Sequence, residues 1–372
     1  MIHSKDRMPL HFVHLELSTK CALKCSRCPR TEFAGKYKVT EMSLDFIKRV
    51  FTPNMLQKID LFNLCGGQGD PIYNSNFIEI IKHLKNHPIS PAVRIVTNGS
   101  HRSRAWWKEL SAILTKRDQI TFSVDGWDNE SNNQYRIGSD FNSIITGIDE
   151  IAKSPAQIRW STIIFKFNQD KLEIIKEVAK EAGAEFFDIC KSTLFGSIHR
   201  GYMNHDLGYD PLEPDCDLTS KYGRYQRYTV RLKSVIENRG GLNITAIYKE
   251  KIKMYKDSYI IPLCKTRGLF YIDVEGVCYP CSWVSHPFNI KGSRFSDRVV
   301  EWKDNFFLKY RKELNLNLVS FEQMWKSKFW DILERSWKTN GGCFIECDNK
   351  CLNKYSKKHD VWRKQIEEVK NI

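Results

Sequence analysis

The sequence has no apolar run long enough to cross a membrane. No stretch of about 18 uncharged apolar residues occurs, and the N-terminal MIHSKDRMPLHFVHLEL lacks the apolar segment of a secretory signal. The 12 cysteines are too sparse in 372 residues for a disulfide scaffold. We therefore expect a cytoplasmic protein without a membrane partner, in which thiols stay reduced and clustered cysteines bind metal.

Acidic residues are in the minority. The chain has 58 Lys and Arg against 44 Asp and Glu, which gives a formal net charge of +14. This balance favours an anionic substrate and permits nucleic acid as a less favoured partner. A basic surface that is simply solvated is the plainer interpretation, so the charge by itself identifies no site.

Short apolar segments alternate with amphipathic segments over the first 190 or so residues. The predicted strands are 13–18, 59–64, 92–99, 119–126, 158–168 and 185–192, and the predicted helices are 43–51, 75–84, 104–114, 139–152 and 171–183. Ser43 and Ser75 are expected to cap the first two helices. The alternation predicts an α/β fold with about six βα units and a parallel sheet. Because a closed barrel has eight units, we expect a partial (βα)6 TIM-like barrel, with the chemistry at the carboxyl ends of its strands.

The pattern breaks after residue 200. We expect residues 1–200 to form the partial barrel, 201–262 a connecting loop and a basic helix, and 263–372 a small cysteine-rich α+β extension. Residues 218–240 are predicted as the helix, where Tyr222, Tyr225 and Tyr228 are interleaved with basic residues. Such interleaving can bind a nucleic acid strand, although tyrosines packed on the barrel are the simpler explanation.

Three cysteines, Cys21, Cys25 and Cys28, follow the first predicted strand in a C-x3-C-x2-C pattern. A closed structural zinc site needs four Cys or His ligands, so a distant residue would have to complete one. Three thiolates on one loop can instead hold three irons of a [4Fe–4S] cluster. The fourth iron is then open to a substrate or a cofactor.

This triplet resembles the signature of radical S-adenosylmethionine (SAM) enzymes. The resemblance implies that the open iron binds the amino and carboxylate groups of SAM. It also implies that an electron from the cluster, which an external flavodoxin or ferredoxin type donor reduces, cleaves SAM to methionine and a 5′-deoxyadenosyl radical. That radical abstracts a hydrogen from the substrate, so the hard chemistry belongs to the cofactors and the protein orients them.

Three further segments match the same family in order. CGGQGDP (65–71) resembles its GGEP segment, with Asp in place of Glu and extra glycines. TNG (97–99) resembles the end of its third strand, and SVDG (123–126) followed by Tyr135-Arg136 resembles its fourth-strand segment. The resemblance implies that the SAM contacts come from Gly67, Gly69, Asp70, Asn98, Ser123, Asp125, Arg136 and Asn168.

The C-terminal region has a second group of six cysteines. A predicted strand–turn–strand hairpin lies between Cys264 and Cys281 in the sequence and would bring the two together. This arrangement resembles the start of the SPASM and twitch domains of some radical SAM enzymes. The resemblance implies a second, auxiliary [4Fe–4S] cluster, for which the single-cluster twitch version fits best. Its implied ligands are Cys264, Cys281, Cys347 and Cys351, with Cys278 and Cys343 as spares. A zinc ribbon is the alternative at this position.

Several questions stay open at this point. Cys65 and Cys190 are interpreted as buried small hydrophobic residues, and Cys216 has no assigned place. A zinc-stapled basic nucleic-acid-binding protein and a ferredoxin-type carrier are alternative functions, but neither explains the six βα units. The resemblance implies a substrate that is a peptide, a sugar or aminocyclitol, or a nucleotide-like molecule. Because the first predicted strand begins by about residue 13, we expect no leader-binding domain before it, which disfavours the peptide without excluding it.

Overall fold

The computed structural model describes residues 11–32, 34–35, 37–86, 90–192, 210–215, 227–232, 264, 268–285, 308–337 and 351. The chain divides into two compact units. The first comprises Met1–His14, Lys48–Asp60 and Leu242–Ile372, and the second comprises Leu15–Ile47 and Leu61–Gly241. Among the described residues, no helix has both the length and the apolar character needed to span a membrane.

The strands and helices follow in chain order. The strands are β1 Phe12–Leu15, β2 Leu61–Leu64, β3 Ala92–Thr97, β4 Gln119–Ser123, β5 Gln157–Ile163, β6 Phe186–Cys190, β7 Arg227–Arg231, β8 Leu269–Ile272 and β9 Cys278–Tyr279. The first helices are α1 Pro29–Glu32, α2 Leu44–Val50, α3 Pro53–Leu56, α4 Phe77–Lys85, α5 Arg104–Ile113 and α6 Asn129–Asn133. The later helices are α7 Phe141–Ala152, α8 Leu172–Glu181, α9 Ser282–Ser285, α10 Phe321–Trp325 and α11 Lys328–Ser336. A 3₁₀ helix spans Pro71–Tyr73.

The second unit is built on a sheet with strand order β7-β6-β5-β4-β3-β2. Strands β2 to β6 are parallel, and each is separated from the next by at least one helix, which confirms the predicted α/β fold with a parallel sheet. One face of this sheet is apolar and lies under the helices. Trp107 of α5 lies 5.5 Å from Phe122 of β4, and Phe141 of α7 lies 6.2 Å from Trp160 of β5, between ring centroids. Each such buried side chain contributes about 1.5–3 kcal/mol, so this face holds the core together.

Local hydrogen bonds explain where the helices begin. The Phe46 backbone N–H donates to Ser43 Oγ at 3.1 Å, as predicted for the cap of α2. The prediction of Ser75 as the cap of α4 is wrong, because the cap is Asn76. Asn74 Oδ1 accepts from the Asn76 N–H at 2.8 Å, and this turn delays the start of the helix by one residue.

The predicted basic helix is wrong over the residues that the structure describes there. Arg227–Arg231 form β7, which pairs antiparallel with β6 in a register that places Arg227 opposite Cys190. Tyr228 is half exposed and not packed in the core. The remaining residues of the predicted helix, including Tyr222 and Tyr225, lie outside the described residues. The backbone pairing with β6 therefore determines that Arg227–Arg231 form a strand.

The first unit contains the predicted hairpin, in which β8 pairs antiparallel with β9. Asp273 closes its turn, because its Oδ1 accepts from the Glu275 N–H at 3.0 Å and the Val277 N–H at 2.9 Å. Gly276 has φ +77°, a conformation that other residues rarely adopt. Phe270 of β8 packs against Trp325 at 5.3 Å between ring centroids, so α10 covers the hairpin.

Candidate active site

The cysteine loop, residues 21–28, lies between β1 and α1 and is anchored at several points. Arg30 donates from Nε to the Thr19 carbonyl and from Nη1 to the Leu23 carbonyl, both at 3.2 Å. Arg27 pairs with the buried Asp210 through two contacts of 2.7 and 2.5 Å. None of the three cysteines is in a disulfide, and all are half-buried. The loop therefore presents three thiols from a fixed backbone.

The thiols lie in a protected environment. Burial, together with the charge of Asp70, raises the pKa of Cys21 to about 12. Burial also raises the pKa of Cys25 to about 11, although Arg136 opposes this shift. Without a metal the Cys21 and Cys25 thiols are neutral at physiological pH, so iron binding would release their protons. The amide Nδ2 of Asn98 donates to Cys21 Sγ at 3.5 Å.

The donor set can be compared with what each candidate metal requires. Four-coordinate zinc holds its thiolates at about 2.3 Å, which brings the sulfur atoms together around one ion. Within the described part of the chain, no three His, Cys, Asp or Glu side chains are grouped closely enough to hold a metal ion. An iron–sulfur cluster binds each thiolate through a different iron and spaces them more widely. Three cysteine thiols on one anchored loop fit that donor chemistry.

The glycine-rich loop after β2 packs its backbone against the chain entering the cysteine loop. A Cβ on Gly69 would lie 2.1 Å from the Ser18 carbonyl oxygen, and one on Gly66 would lie 2.3 Å from the Gly69 oxygen. The Asp70 N–H donates to the Lys20 carbonyl at 2.9 Å. Only glycine permits such an approach. Gly67 is exposed at the tip of the loop.

Asp70 fastens the loops after β2 and β3 to each other. Its Oδ2 accepts from the Asn98 N–H at 2.7 Å, from Asn98 Nδ2 at 2.6 Å and from Thr97 Oγ1 at 3.0 Å. Its Oδ1 accepts from the Ile72 N–H at 3.2 Å. Burial raises the pKa of Asp70 to about 6, and these hydrogen bonds oppose the shift. Through Asn98, this carboxyl group is linked to Cys21.

A second buried network follows β4. Asp125 Oδ2 pairs with Arg136 Nε at 2.7 Å, and Asp125 Oδ1 accepts from the Ile163 N–H at 2.7 Å. Burial raises the pKa of Asp125. Burial would lower the pKa of Arg136, but the neighbouring carboxylate of Asp125 outweighs it and raises that pKa. Arg136 therefore stays charged beside the cysteine loop. Ser123 lies half-buried at the end of β4.

Asn168 is placed near this network, but it acts within the protein. Its Nδ2 donates to the carbonyls of Asp125 at 2.8 Å and Ile163 at 2.9 Å, and its Oδ1 accepts from the Phe165 N–H at 2.8 Å. Both donors of the amide are thus engaged. The structure accordingly shows Asn168 holding the loop after β5 against the segment after β4.

Two features of the site, a buried acid and a long-range ion pair, escaped the reasoning from sequence. Glu16 is buried just after β1, and its Oε1 accepts from the Gln68 N–H at 2.8 Å, which fixes the glycine-rich loop. An acid inside the apolar segment VHLEL was the available signal. Nothing in the sequence pattern indicated the pairing of Arg27 with Asp210, because the two lie 183 positions apart in the chain.

The second cysteine group lies in the first unit. Cys264 is buried, Cys278 is fully buried in β9, and Cys281 and Cys351 are half-buried. The Cys278 N–H donates to the Leu314 carbonyl at 2.9 Å. Cys343 and Cys347 lie outside the described residues, so the ligand set of this group stays a prediction.

The remaining cysteines differ from their interpretation as buried hydrophobic residues. Cys65 and Cys190 are only half-buried. Cys190 Sγ lies 3.3 Å from Ser161 Oγ on the polar face of the sheet. Cys216 lies outside the described residues.

The fold and the site together define a class of protein. It is an α/β domain with helices on one face of a parallel sheet and a three-cysteine loop tied to the loops that follow its strands. The family model of the Radical SAM superfamily matches residues 15–182, which include all of these loops. Residues 15–182 are therefore a radical SAM domain.

Individual relatives are distant. The chain is 23% identical over 167 residues to the GTP 3′,8-cyclase of Mesorhizobium japonicum, covering 44% of this chain and 49% of the relative. It is 24% identical over 172 residues to the mycofactocin maturase MftC of Mycolicibacterium smegmatis, covering 45% and 41%. The chain thus spans less than half the length of these two relatives. The structure of histidine-tagged anSMEcpe with bound AdoMet matches with a TM-score of 0.50 and 15% identity, covering 98% of this chain and 96% of that one.

Proposed function

We propose that this protein is a radical SAM enzyme whose Cys21, Cys25 and Cys28 hold a [4Fe–4S] cluster with one open iron for SAM. When bound, the cluster supplies the electron that cleaves SAM reductively and so starts hydrogen abstraction from a substrate. The observation that supports this most is the chain of contacts from Asp70 through Asn98 to the Cys21 thiol. It joins three loops, each following a different strand, at one place.

The residues of this chain then have separate tasks. Gly69 lets the loop after β2 approach closely, and the exposed Gly67 offers its backbone to the methionine end of SAM. Asp70 and Asn98 position the cysteine loop and this backbone. Ser123, at the end of β4, faces the ribose in this proposal. Asp125, Arg136 and Asn168 hold the segments that would enclose the rest of SAM.

The first unit would carry an auxiliary [4Fe–4S] cluster on Cys264, Cys281, Cys347 and Cys351. With four protein thiolates such a cluster has no open iron, so it would pass electrons or shape the substrate pocket. Reducing electrons would come from a flavodoxin or ferredoxin type donor. The nucleic-acid-binding alternative loses support, because β7 replaces part of the basic helix on which it depended.

The test is anaerobic purification of the whole chain with iron and sulfide analysis, followed by reduction in the presence of SAM. We expect about eight irons per chain, and 5′-deoxyadenosine on reduction. Cys25→Ala should lose about four irons and all SAM cleavage, whereas Cys281→Ala should lose about four irons of the other cluster. Cys190→Ala is the matched control and should keep its iron. Zinc in place of iron in the wild-type protein would overturn the proposal.

A further inference from the structure

The face of the sheet that lies opposite the helices is polar. The register aligns Arg94 of β3 with Gln119 of β4, Thr121 of β4 with Arg159 of β5, and Ser161 of β5 with Asp188 of β6. Parallel strands that are covered on both faces are nearly continuous apolar runs. Charged residues on the face opposite the helices therefore indicate a surface that binds a ligand.

Two of the charges on this face neutralise each other. Arg159 donates from Nε to Asp188 Oδ2 at 2.8 Å and from Nη2 to Asp188 Oδ1 at 2.6 Å. Thr229 Oγ1 also donates to Asp188 Oδ1 at 2.6 Å. Among the described strand residues, Asp188 is the only acid on this face of β2 to β7, and its oxygens are largely occupied by these donors.

Arg94 has no such partner. Its Nε is buried and makes no hydrogen bond with any described residue. Burial and the positive charges of Arg159 and Arg227 lower the pKa of Arg94. A guanidinium that is partly withdrawn from water and lacks a counter-ion is costly. The residue as a whole is only half-buried, so a ligand can reach it.

Arg227 adds a second positive charge, which forms only a long ion pair with Asp188. It lies on β7, where its Nη1 is 4.0 Å from Asp188 Oδ2, beyond hydrogen-bond distance, and its side chain is exposed. Its positive charge also lowers the pKa of Cys65, which directly follows β2, although burial raises that pKa more strongly. The register places Arg94 and Arg227 on the same face of the sheet, on different strands.

We propose that Arg94, assisted by Arg227, binds an oxyanion of the substrate, either a phosphate or a carboxylate group. The inference rests on the proposed function, because it concerns the molecule from which that enzyme would abstract hydrogen, and it adds the substrate's chemical class. The planar guanidinium matches two oxygens of either group at once. Arg94 lies four residues before Asn98, roughly 13 Å along the strand, so the anion would bind deeper than the cysteine loop.

Anion binding can be measured without any turnover. The reconstituted whole chain is titrated calorimetrically with inorganic pyrophosphate and, separately, with succinate, at fixed ionic strength. We expect saturable binding of at least one anion, weakened about tenfold or more in Arg94→Gln, since a hydrogen bond to a charged group is lost. Arg227→Gln should weaken binding less, because this residue is exposed. Arg117→Gln is the control, since Arg117 is exposed and donates only to the Ser90 carbonyl.

The outcomes separate the alternatives. Tighter binding of pyrophosphate indicates a phosphate-bearing substrate, and tighter binding of succinate indicates a carboxylate. Arg94→Gln should also leave the melting temperature unchanged or raised, because no protein contact is lost. No saturable binding, equal weakening in Arg117→Gln, or a lower melting temperature in Arg94→Gln with unchanged affinity would overturn the inference. A chain that cleaves SAM but binds neither anion refutes only this inference, and a chain that binds anions but never cleaves SAM refutes only the proposed function.

Discussion

Replacing Asp125 by Asn would leave Arg136 as a buried cation without its counter-ion. The two side chains are almost fully buried, with Oδ2 and Nε 2.7 Å apart. Removing one partner of a buried pair typically costs about 3–5 kcal/mol. Asn is nearly isosteric and its oxygen still accepts from the Ile163 N–H, so this cost comes from the missing charge. We therefore expect Asp125→Asn to lower the free energy of unfolding by about 3 kcal/mol or more.

Urea denaturation of the wild type, both single variants and Asp125→Asn/Arg136→Gln would measure the coupling. The double variant should lose less free energy of unfolding than the two single variants lose together, because it leaves no unpaired charge behind. Glu177→Gln is the control, since it breaks the exposed Glu177–Lys180 pair and should cost about 0.5 kcal/mol or less. If Asp125→Asn costs no more than Glu177→Gln, the pair is not desolvated and the reasoning fails.

Three further substitutions test other contacts by the same unfolding assay. Gly69→Ala should lower the free energy of unfolding by about 3 kcal/mol, because its Cβ would lie 2.1 Å from a backbone oxygen. Gly35→Ala is the control: nothing lies within 4 Å of its Cβ, so it should cost only the strain of its positive φ, about 1–2 kcal/mol. Gly147→Ala should destabilise α7 despite its better helix propensity, because its Cβ would lie 2.6 Å from the buried Trp107 ring; a more stable variant would refute this contact. Although burial opposes it, hydrogen bonds from Arg159 and Thr229 keep the pKa of Asp188 below its ordinary 3.8. Asp188→Asn should therefore destabilise the protein at pH 7. The difference in free energy of unfolding between the wild type and this variant should narrow as the pH falls below about 4, and a difference that does not change with pH would contradict this.

The alternation of strands and helices in the second unit was predictable because each element carries its own signal. Apolar runs such as AVRIVT mark strands that are buried on the helix side, and α5 and α7 show a 3.6-residue apolar period. Their order along the chain then implies the parallel sheet. The strand β7 carried no such signal, because RYTVR is polar and its pairing with β6 is a long-range contact.

The identity of the site residues was easier to predict than their tasks. The cysteine spacing and the glycine-rich loop predicted which segments meet, and the structure brings Asp70 and Asn98 together with Cys21. The sequence could not show that the Asp70 and Asn168 side chains are engaged by other loops of the protein, since those hydrogen bonds depend on the folded backbone. Arg94 did have a signal, a lone charge within an apolar strand, but its meaning required the register of the neighbouring strands.

The strand β7 also bears on how copies of this chain behave at high concentration. Among the described strands it ends the strand order of the second unit, and a terminal strand normally offers unpaired backbone groups to any extended segment that meets it. Arg227 and Arg231 place two like charges along this border, so a second copy aligning there would meet electrostatic repulsion. The same arginines that face the ligand side would thus also protect the protein against aggregation through its sheet.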